Sequence, residues 1–108
     1  RGARVFVWNR TEAKLAPILE RYGCEIVSEN RPYDIIVNAT SIGFGDPDAD
    51  VSIFERFMDG SPLAFDVVAN PVETPFLTLA RAKGCETIEG RCMFKKQAAY
   101  QFAYWFNR

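Results

Sequence analysis

Three short runs made mostly of apolar residues stand out along the chain, and each is followed by polar residues. They span residues 5–8, 34–39 and 62–68. A nearly continuous apolar run of this length is typical of a strand that is buried on both faces, as the strands of parallel sheets are. The stretches 25–27 and 85–88 have weaker β character and predict two further short strands.

Segments with helical features separate these strands. A helix is predicted over residues 11–22, with Thr11 as its N-cap and Gly23 as its end. Pro17 lies inside this segment and predicts a kink, because proline lacks the backbone N–H that a helix interior uses. Residues 51–58 have room for one or two helical turns.

Two clearer helices are predicted in the second half of the chain. Thr74 is expected to cap a helix that begins with Pro75 and extends to Lys83, which is a favoured arrangement at a helix start. A longer helix is predicted from Met93 to Asn107. Its aromatic side chains are more typical of a core or an interface than of a cofactor site; they are Phe94, Phe102, Trp105 and Phe106.

The alternation of strand and helix predicts an α/β fold. Its expected form is a Rossmann-like, doubly wound parallel sheet with helices on its faces. A chain of 108 residues has the size of one domain. Ligands bind such sheets beyond the carboxyl ends of the strands. The polar residues that follow each strand are therefore the candidates for a functional site.

Composition excludes several classes of site. Thirteen basic residues against fourteen acidic ones give a net charge of −1, which disfavours a broad cationic surface for nucleic acid or membrane. The absence of histidine removes most zinc sites and the Ser-His and Cys-His nucleophile pairs, so no metal site is predicted. The three cysteines lack a C-x-x-C pattern and predict buried, reduced thiols in a cytoplasmic protein; they are Cys24, Cys85 and Cys92.

The polar segment after the first strand predicts an anion site. Arg10 and Lys14 flank the start of the predicted helix, where two cations are unfavourable unless an anion binds. Arg10 offers a planar fork that suits phosphate, and Thr11 adds a hydroxyl. An NAD-binding Rossmann domain has an acidic residue at the end of its second strand, and this chain has Asn9 and Arg10. If this is that strand, NADP is the expected cofactor; the alternative is a solvated helix start.

The other strand ends carry weaker signals. The small and hydroxylated residues 38–41 allow close approach of a ribose or a ring, although a plain loop has the same composition. Asp66 lies near the end of the third apolar run and is more typical of a structural acceptor than of a general base. Gln97 can hydrogen-bond a polyol, and a surface role is the alternative.

Four motifs occur in order along the chain: Asn9-Arg10-Thr11 with Lys14, residues 34–43, residues 66–71 with Thr74-Pro75, and residues 90–93 with Gln97-Ala98. Together they resemble the NADP-binding domain of the shikimate dehydrogenase family, over essentially the whole chain. The resemblance implies reversible hydride transfer between NADPH and 3-dehydroshikimate, a reaction of aromatic amino acid biosynthesis.

The resemblance also implies a role for each matching residue. The adenosine 2′-phosphate would be held by Asn9, Arg10, Thr11 and Lys14. The residues that lie along the cofactor would be Asn38, Ala39, Thr40 and Ser41. Those that border the nicotinamide would be Val67, Gly90 and Met93. Gln97 would bind a hydroxyl of the substrate, which is shikimate, 3-dehydroshikimate or a similar polyol acid.

The chain departs from the family pattern in two respects. It has no counterpart of the first strand with its Gly-rich turn, nor of the substrate domain with the catalytic lysine and aspartate, so no residue here is assigned to proton transfer. We expect a longer protein or a second copy to complete the sheet, and the 108 residues alone to fold poorly and lack activity. Ala69 replaces the tyrosine whose hydroxyl approaches the substrate carboxylate in the family, which is compatible with quinate or a related polyol as substrate.

Two alternatives stay open from the sequence. One is a nucleotide-binding module without catalytic activity. The other is an NADP-using Rossmann enzyme of the glutamyl-tRNA reductase type, which can share the Asn-Arg-Thr clamp but which the motif from Gly90 to Gln97 disfavours.

Overall fold

The computed structural model describes residues 2–27 and 31–107. The chain divides into two compact units, Arg1–Asn30 and Arg31–Arg108, which are called here the N-terminal unit and the C-terminal unit. Both contain parallel strands and helices in alternation, so the predicted α/β class is confirmed.

The N-terminal unit consists of two short strands with a helical segment between them. Strand β1, Phe6–Val7, is parallel to strand β2, Glu25–Ile26. A 3-10 turn, Glu12–Leu15, leads directly into helix α1, Ala16–Tyr22. Leu15 is the one described residue of this unit that is buried.

The predicted continuous helix over 11–22 is wrong at its start. Thr11 precedes the 3-10 turn and makes no side-chain cap hydrogen bond. Pro17 lies in the first turn of α1, where a missing backbone N–H costs nothing, so proline sets the start of the α-helix instead of kinking it. Gly23 ends α1 as predicted, in the left-handed conformation at φ 65°, and its N–H donates to Leu19 O at 2.9 Å.

The C-terminal unit is built on a three-stranded parallel sheet in the order β3-β4-β5. The strands are β3, Ile35–Asn38, β4, Leu63–Asp66, and β5, Thr87–Ile88. A 3-10 segment, Ser52–Phe57, precedes β4, helix α2, Pro75–Ala82, connects β4 to β5, and helix α3, Gly90–Phe106, follows β5. Helix α3 begins three residues before its predicted start.

The core of the C-terminal unit lies between the sheet and α2. Ala64 of β4 and Phe76, Leu77 and Ala80 of α2 are completely buried. Phe54 of the 3-10 segment meets the ring of Phe76 edge to face, with centroids 5.1 Å apart. The apolar face of α2 and the β4 run therefore bury each other, as their sequence patterns predict.

The opposite face of this sheet is open in the described part of the chain. Ile35 and Val37 of β3 are 58% and 47% exposed, and Val37 is the register partner of Phe65. The aromatic side chains of α3 are also exposed, Phe94 by 64%. Of the two predicted settings, a core or an interface, the core is therefore wrong for the described residues, and the interface stays a prediction. None of the described helices, 17-residue α3 included, has the length and hydropathy that a bilayer crossing needs.

Gly90 brings the start of α3 against the end of β4. A Cβ atom at Gly90 would lie 2.4 Å from the carbonyl oxygen of Val68 and 2.7 Å from that of Val67. Only glycine permits this approach. This close contact explains why α3 contains a glycine, a residue that disfavours helices.

We expect Gly90→Ala to lower the free energy of unfolding of the complete protein by about 1–3 kcal/mol, because the added methyl group overpacks this contact. Urea denaturation measures the change. Arg91→Ala, an exposed site one residue along the same helix, is the control and is expected to stay within about 0.5 kcal/mol of the wild type. Equal stability of Gly90→Ala and the wild type would contradict the close approach.

Candidate functional site

The loop after β1 carries the four predicted phosphate-binding residues of the N-terminal unit. Asn9 Nδ2 donates to Thr11 O at 3.0 Å, and Lys14 N donates to the same oxygen at 3.1 Å. These two bonds close a tight turn around Thr11 O. The side chains of Arg10, Thr11 and Lys14 are exposed on it.

Arg10 and Lys14 have no carboxylate partner within 4.0 Å among the described residues. Other cations of the N-terminal unit are engaged. Arg4 Nη2 contacts both carboxylate oxygens of Glu25, at 3.0 and 2.9 Å, and the Arg21 guanidinium lies 5.3 Å from the centroid of the Tyr22 ring. Two neighbouring positive charges are therefore available to an anion from outside the unit.

In the C-terminal unit, the end of β3 is fixed by Asn38, whose side chain is completely buried. Its Nδ2 donates to Asp66 Oδ1 and to Ile42 O, both at 3.2 Å. Its Oδ1 accepts from Thr40 N at 3.1 Å and from Thr40 Oγ1 at 2.6 Å. The Asn38 side chain is thus used within the protein, and what it shapes is the following loop, where Ala39 and Ser41 are exposed.

Thr40 continues the same loop toward Gly43. Its Oγ1 donates to Asn38 and accepts from Ile42 N at 3.1 Å, so the hydroxyl is engaged in both directions. Of the four residues predicted to lie along a cofactor here, Asn38 and Thr40 build the loop. Ala39 and Ser41 form its exposed surface.

Asp66 ends β4 and is completely buried. Its Oδ1 accepts from Val68 N at 2.9 Å and from Asn38 Nδ2 at 3.2 Å, and its Oδ2 accepts from Thr74 Oγ1 at 2.6 Å. All three partners donate, a pattern that fits an ionised carboxylate. Burial raises the pKa of the Asp66 carboxyl above its ordinary value, and the hydrogen bonds from Thr74, Val68 and Asn38 oppose that shift.

Thr74 joins this network to helix α2. Its hydroxyl donates to Asp66 Oδ2, and its Oγ1 accepts from Leu77 N at 3.2 Å as the N-cap of α2. The sequence predicted the cap but not the bond to Asp66. The missed signal is the strand register: Asn38 ends β3 and Asp66 ends β4, and the two residues are directly paired in the β3–β4 ladder.

The predicted residues of the later motifs lie around the end of β4 and the start of α3. The Val67 N–H donates to Asn38 O at 3.0 Å, and Gly90 packs on the carbonyls of Val67 and Val68. Met93 and Gln97, one helical turn apart, line a cleft of about 460 Å³. The cleft lies between α3 and the sheet; its other lining residues are Phe65, Ile88, Cys92, Lys96 and Tyr100.

The cysteines are free, but they are not all buried as predicted. Cys85 is buried, and burial raises the pKa of its thiol. Cys24 is half-buried, and Cys92 is exposed because the first turn of α3 leaves its side chain uncovered. Across residues 2–27 and 31–107, no cluster of three or more Cys, Asp or Glu residues has the arrangement of a metal site.

The chain is similar in sequence to shikimate dehydrogenases and to a shikimate dehydrogenase-like protein. No protein-family model matches the chain. A shikimate dehydrogenase-like protein from Haemophilus influenzae is 47% identical over 76 residues, which are 68% of this chain and 28% of that protein. The shikimate dehydrogenase (NADP(+)) of Methanocella arvoryzae is 38% identical over 114 aligned positions, which cover 96% of this chain and 42% of that protein.

A solved structure extends the similarity to the fold. The crystal structure of shikimate 5-dehydrogenase from Thermus thermophilus, in complex with NADP(H) and shikimate, matches with a TM-score of 0.88 and 35% identity. The match covers 99% of this chain and 41% of that one. The chain therefore spans less than half the length of each of these relatives.

We expect Thr74→Val to lower the free energy of unfolding of the complete protein by about 1–3 kcal/mol, since it removes both the cap of α2 and a donor to the buried Asp66 carboxylate. Thr78→Val is the matched control in the same helix, because the Thr78 hydroxyl is exposed and bonds only to Glu73. Thermal or urea denaturation compares the two variants. Equal losses would show that the buried network contributes nothing.

Proposed function

The chain belongs, over the region that it shares with its relatives, to the shikimate dehydrogenase family, and on that premise we propose that it forms the NADP-binding part of an NADP-dependent shikimate dehydrogenase. The proposed reaction is reversible hydride transfer between NADPH and 3-dehydroshikimate. The observation that carries the proposal is the pair of exposed cations, Arg10 and Lys14, which have no described carboxylate partner.

The proposed phosphate site is the turn that follows β1. Arg10 presents a planar, always charged guanidinium that suits two oxygens of a 2′-phosphate, and Lys14 adds a second charge. Asn9 closes the turn, and Thr11 contributes a hydroxyl that caps no helix. An unesterified ribose offers these cations nothing comparable, which gives a physical basis for preferring NADP over NAD.

The proposed nicotinamide site is formed by the carboxyl ends of β3 and β4 and the start of α3. The exposed surface of the loop 38–41 would lie along the cofactor, and Val67, Gly90 and Met93 would border its ring. This assignment is supported by the position of all these segments beyond strand ends, where ligands of parallel sheets bind. A bound NADPH would supply the hydride from its nicotinamide, and these residues would orient the ring.

Gln97 is the proposed substrate contact. It lies one turn beyond Met93 on α3 and shares the same cleft, so a polyol beside the ring would be within the range of its amide. An amide can donate to and accept from hydroxyl groups, but it cannot act as an acid or a base at neutral pH. The proton transfer is therefore assigned to no residue of this chain.

A related polyol is the second candidate substrate. Ala69 has no hydroxyl, so the contact that the family pattern places at this position is lost. The free cysteines support a location in a reducing compartment, which we propose to be the cytoplasm.

We expect Arg10→Asp to weaken NADPH binding to the complete protein by about 10–100-fold, since charged hydrogen bonds contribute roughly 1.5–3 kcal/mol. NADH affinity should change far less. Arg21→Asp, at the far end of α1, is the control for charge alone. Titration calorimetry with both nucleotides measures the effect; equal wild-type affinity for NADPH and NADH would refute the phosphate site.

We expect Gln97→Leu to raise the KM for the polyol substrate by about 3–10-fold, the cost of one lost hydrogen bond, while the KM for NADP stays unchanged. Steady-state kinetics with shikimate and with quinate measures both constants. Gln101→Leu, one turn further along α3 and outside the cleft lining, is the matched control. The same KM change in both variants would count against a contact by Gln97.

A further inference from the structure

The buried carboxylate of Asp66 holds the backbone that follows β4. We propose that Asp66 is a positioning residue, which fixes the Val67–Val68 segment so that the segment can hold the nicotinamide end of the dinucleotide in place. The proposal deepens the proposed function and rests on it, because the role of Val67 beside the ring belongs to that function. Asp66 itself is completely buried and touches neither cofactor nor substrate.

The Val67–Val68 segment is held at both of its amide groups. Val67 N donates to the backbone oxygen of Asn38 at 3.0 Å, and Val68 N donates to Asp66 Oδ1 at 2.9 Å. Its two carbonyl groups lie against Gly90, where no Cβ atom could be accommodated. The chain direction beyond β4 is therefore set by contacts to β3, to the side chain of Asp66 and to α3.

The Asp66 carboxylate also connects this segment to the two neighbouring strand-end features. Asp66 Oδ1 accepts hydrogen bonds from both Val68 N and Asn38 Nδ2. The Asn38 side chain in turn shapes the loop 38–41. Oδ2 receives the Thr74 hydroxyl at the start of α2. One side chain thus sets the relative positions of the β3 loop, the β4 extension and α2.

The need to accept three buried hydrogen bonds accounts for a charged group at this position. No Lys or Arg nitrogen lies within 4.0 Å of Asp66 among the described residues, so the carboxylate is buried without a counter-charge. Burial of a charge is costly unless hydrogen bonds satisfy it, and removal of this carboxylate would leave three buried donors without an acceptor. A carboxylate has the acceptor capacity for three donors from three segments, which an apolar side chain lacks.

The test compares three variants of the complete protein by kcat, by NADP affinity and by the affinity for 2′,5′-ADP, a probe that carries the 2′-phosphate but no nicotinamide. Asp66→Ala removes the acceptor of Val68 N. Asp66→Asn keeps an oxygen for that N–H, and Thr74→Val leaves Asp66 Oδ1 untouched. Wild-type affinity for 2′,5′-ADP shows that a variant is folded around the phosphate site.

We expect Asp66→Ala to lower kcat with shikimate and NADP by about tenfold or more, because small displacements of reacting groups cost rates of that order. Its 2′,5′-ADP affinity should stay within about twofold of the wild type. Asp66→Asn should restore kcat to within about threefold, and Thr74→Val should lose stability but keep its kcat, since both retain the acceptor for Val68 N.

The inference would be overturned if folded Asp66→Ala kept the wild-type kcat. It would also be overturned if Asp66→Asn lost kcat tenfold while Thr74→Val kept its kcat. This comparison of Asp66→Asn with Thr74→Val decides the question if Asp66→Ala does not fold. If the wild type neither binds 2′,5′-ADP nor oxidises a polyol with NADP, the proposed function fails and this inference fails with it. If the wild type does both and Asp66→Ala keeps its kcat, only the inference fails.

Discussion

A buried carboxylate without a counter-charge must receive a hydrogen bond at each of its oxygens, and this constraint organises the C-terminal unit. Asp66 meets it by drawing donors from Asn38, Val68 and Thr74, which belong to three different segments. The end of β3, the extension of β4 and the start of α2 are fixed as a consequence. Gly90 then brings α3 against the same extension.

The cations of the N-terminal unit differ in whether a carboxylate lies beside them. Arg4 finds Glu25 within its own unit, whereas Arg10 and Lys14 find no described carboxylate. Positive charge that a protein leaves exposed and unpaired next to a tight turn is suited to an external anion. The buried network fixes the strand ends of the C-terminal unit, and the exposed cations of the N-terminal unit form the proposed phosphate site.

Local sequence patterns predicted the strands and helices well where residues within the element itself determine its position. The apolar runs located β3 and β4, and Thr74-Pro75 located the start of α2, because propensity and capping agree there with the tertiary contacts. The start of α1 was mispredicted, since Pro17 sets it from inside the segment and Thr11 caps nothing. The start of α3 at Gly90 depends on a contact with Val68 that no local pattern contains.

The sequence indicated which residue types follow the strands, but it did not indicate which of their side chains hydrogen-bond to each other. Arg10 and Lys14 were predicted to form a phosphate site from their charge and their position beside a predicted helix start, and that role stays a prediction. The pairing of Asn38 with Asp66 depends on strand register, which joins positions 28 residues apart. Exposure was the least predictable property: the aromatic side chains of α3 are typical of a core or an interface in sequence, and they are exposed in the described part of the chain.

The central claim is that this chain binds NADP through the turn after β1. A crystal structure of the complete protein with NADP tests it most directly. The account predicts that Arg10 nitrogen atoms lie about 2.7–3.2 Å from oxygens of the adenosine 2′-phosphate, with Lys14 beside them. A 2′-phosphate that contacts none of Asn9, Arg10, Thr11 and Lys14, or an Arg10 paired with a carboxylate of the protein itself, would contradict it.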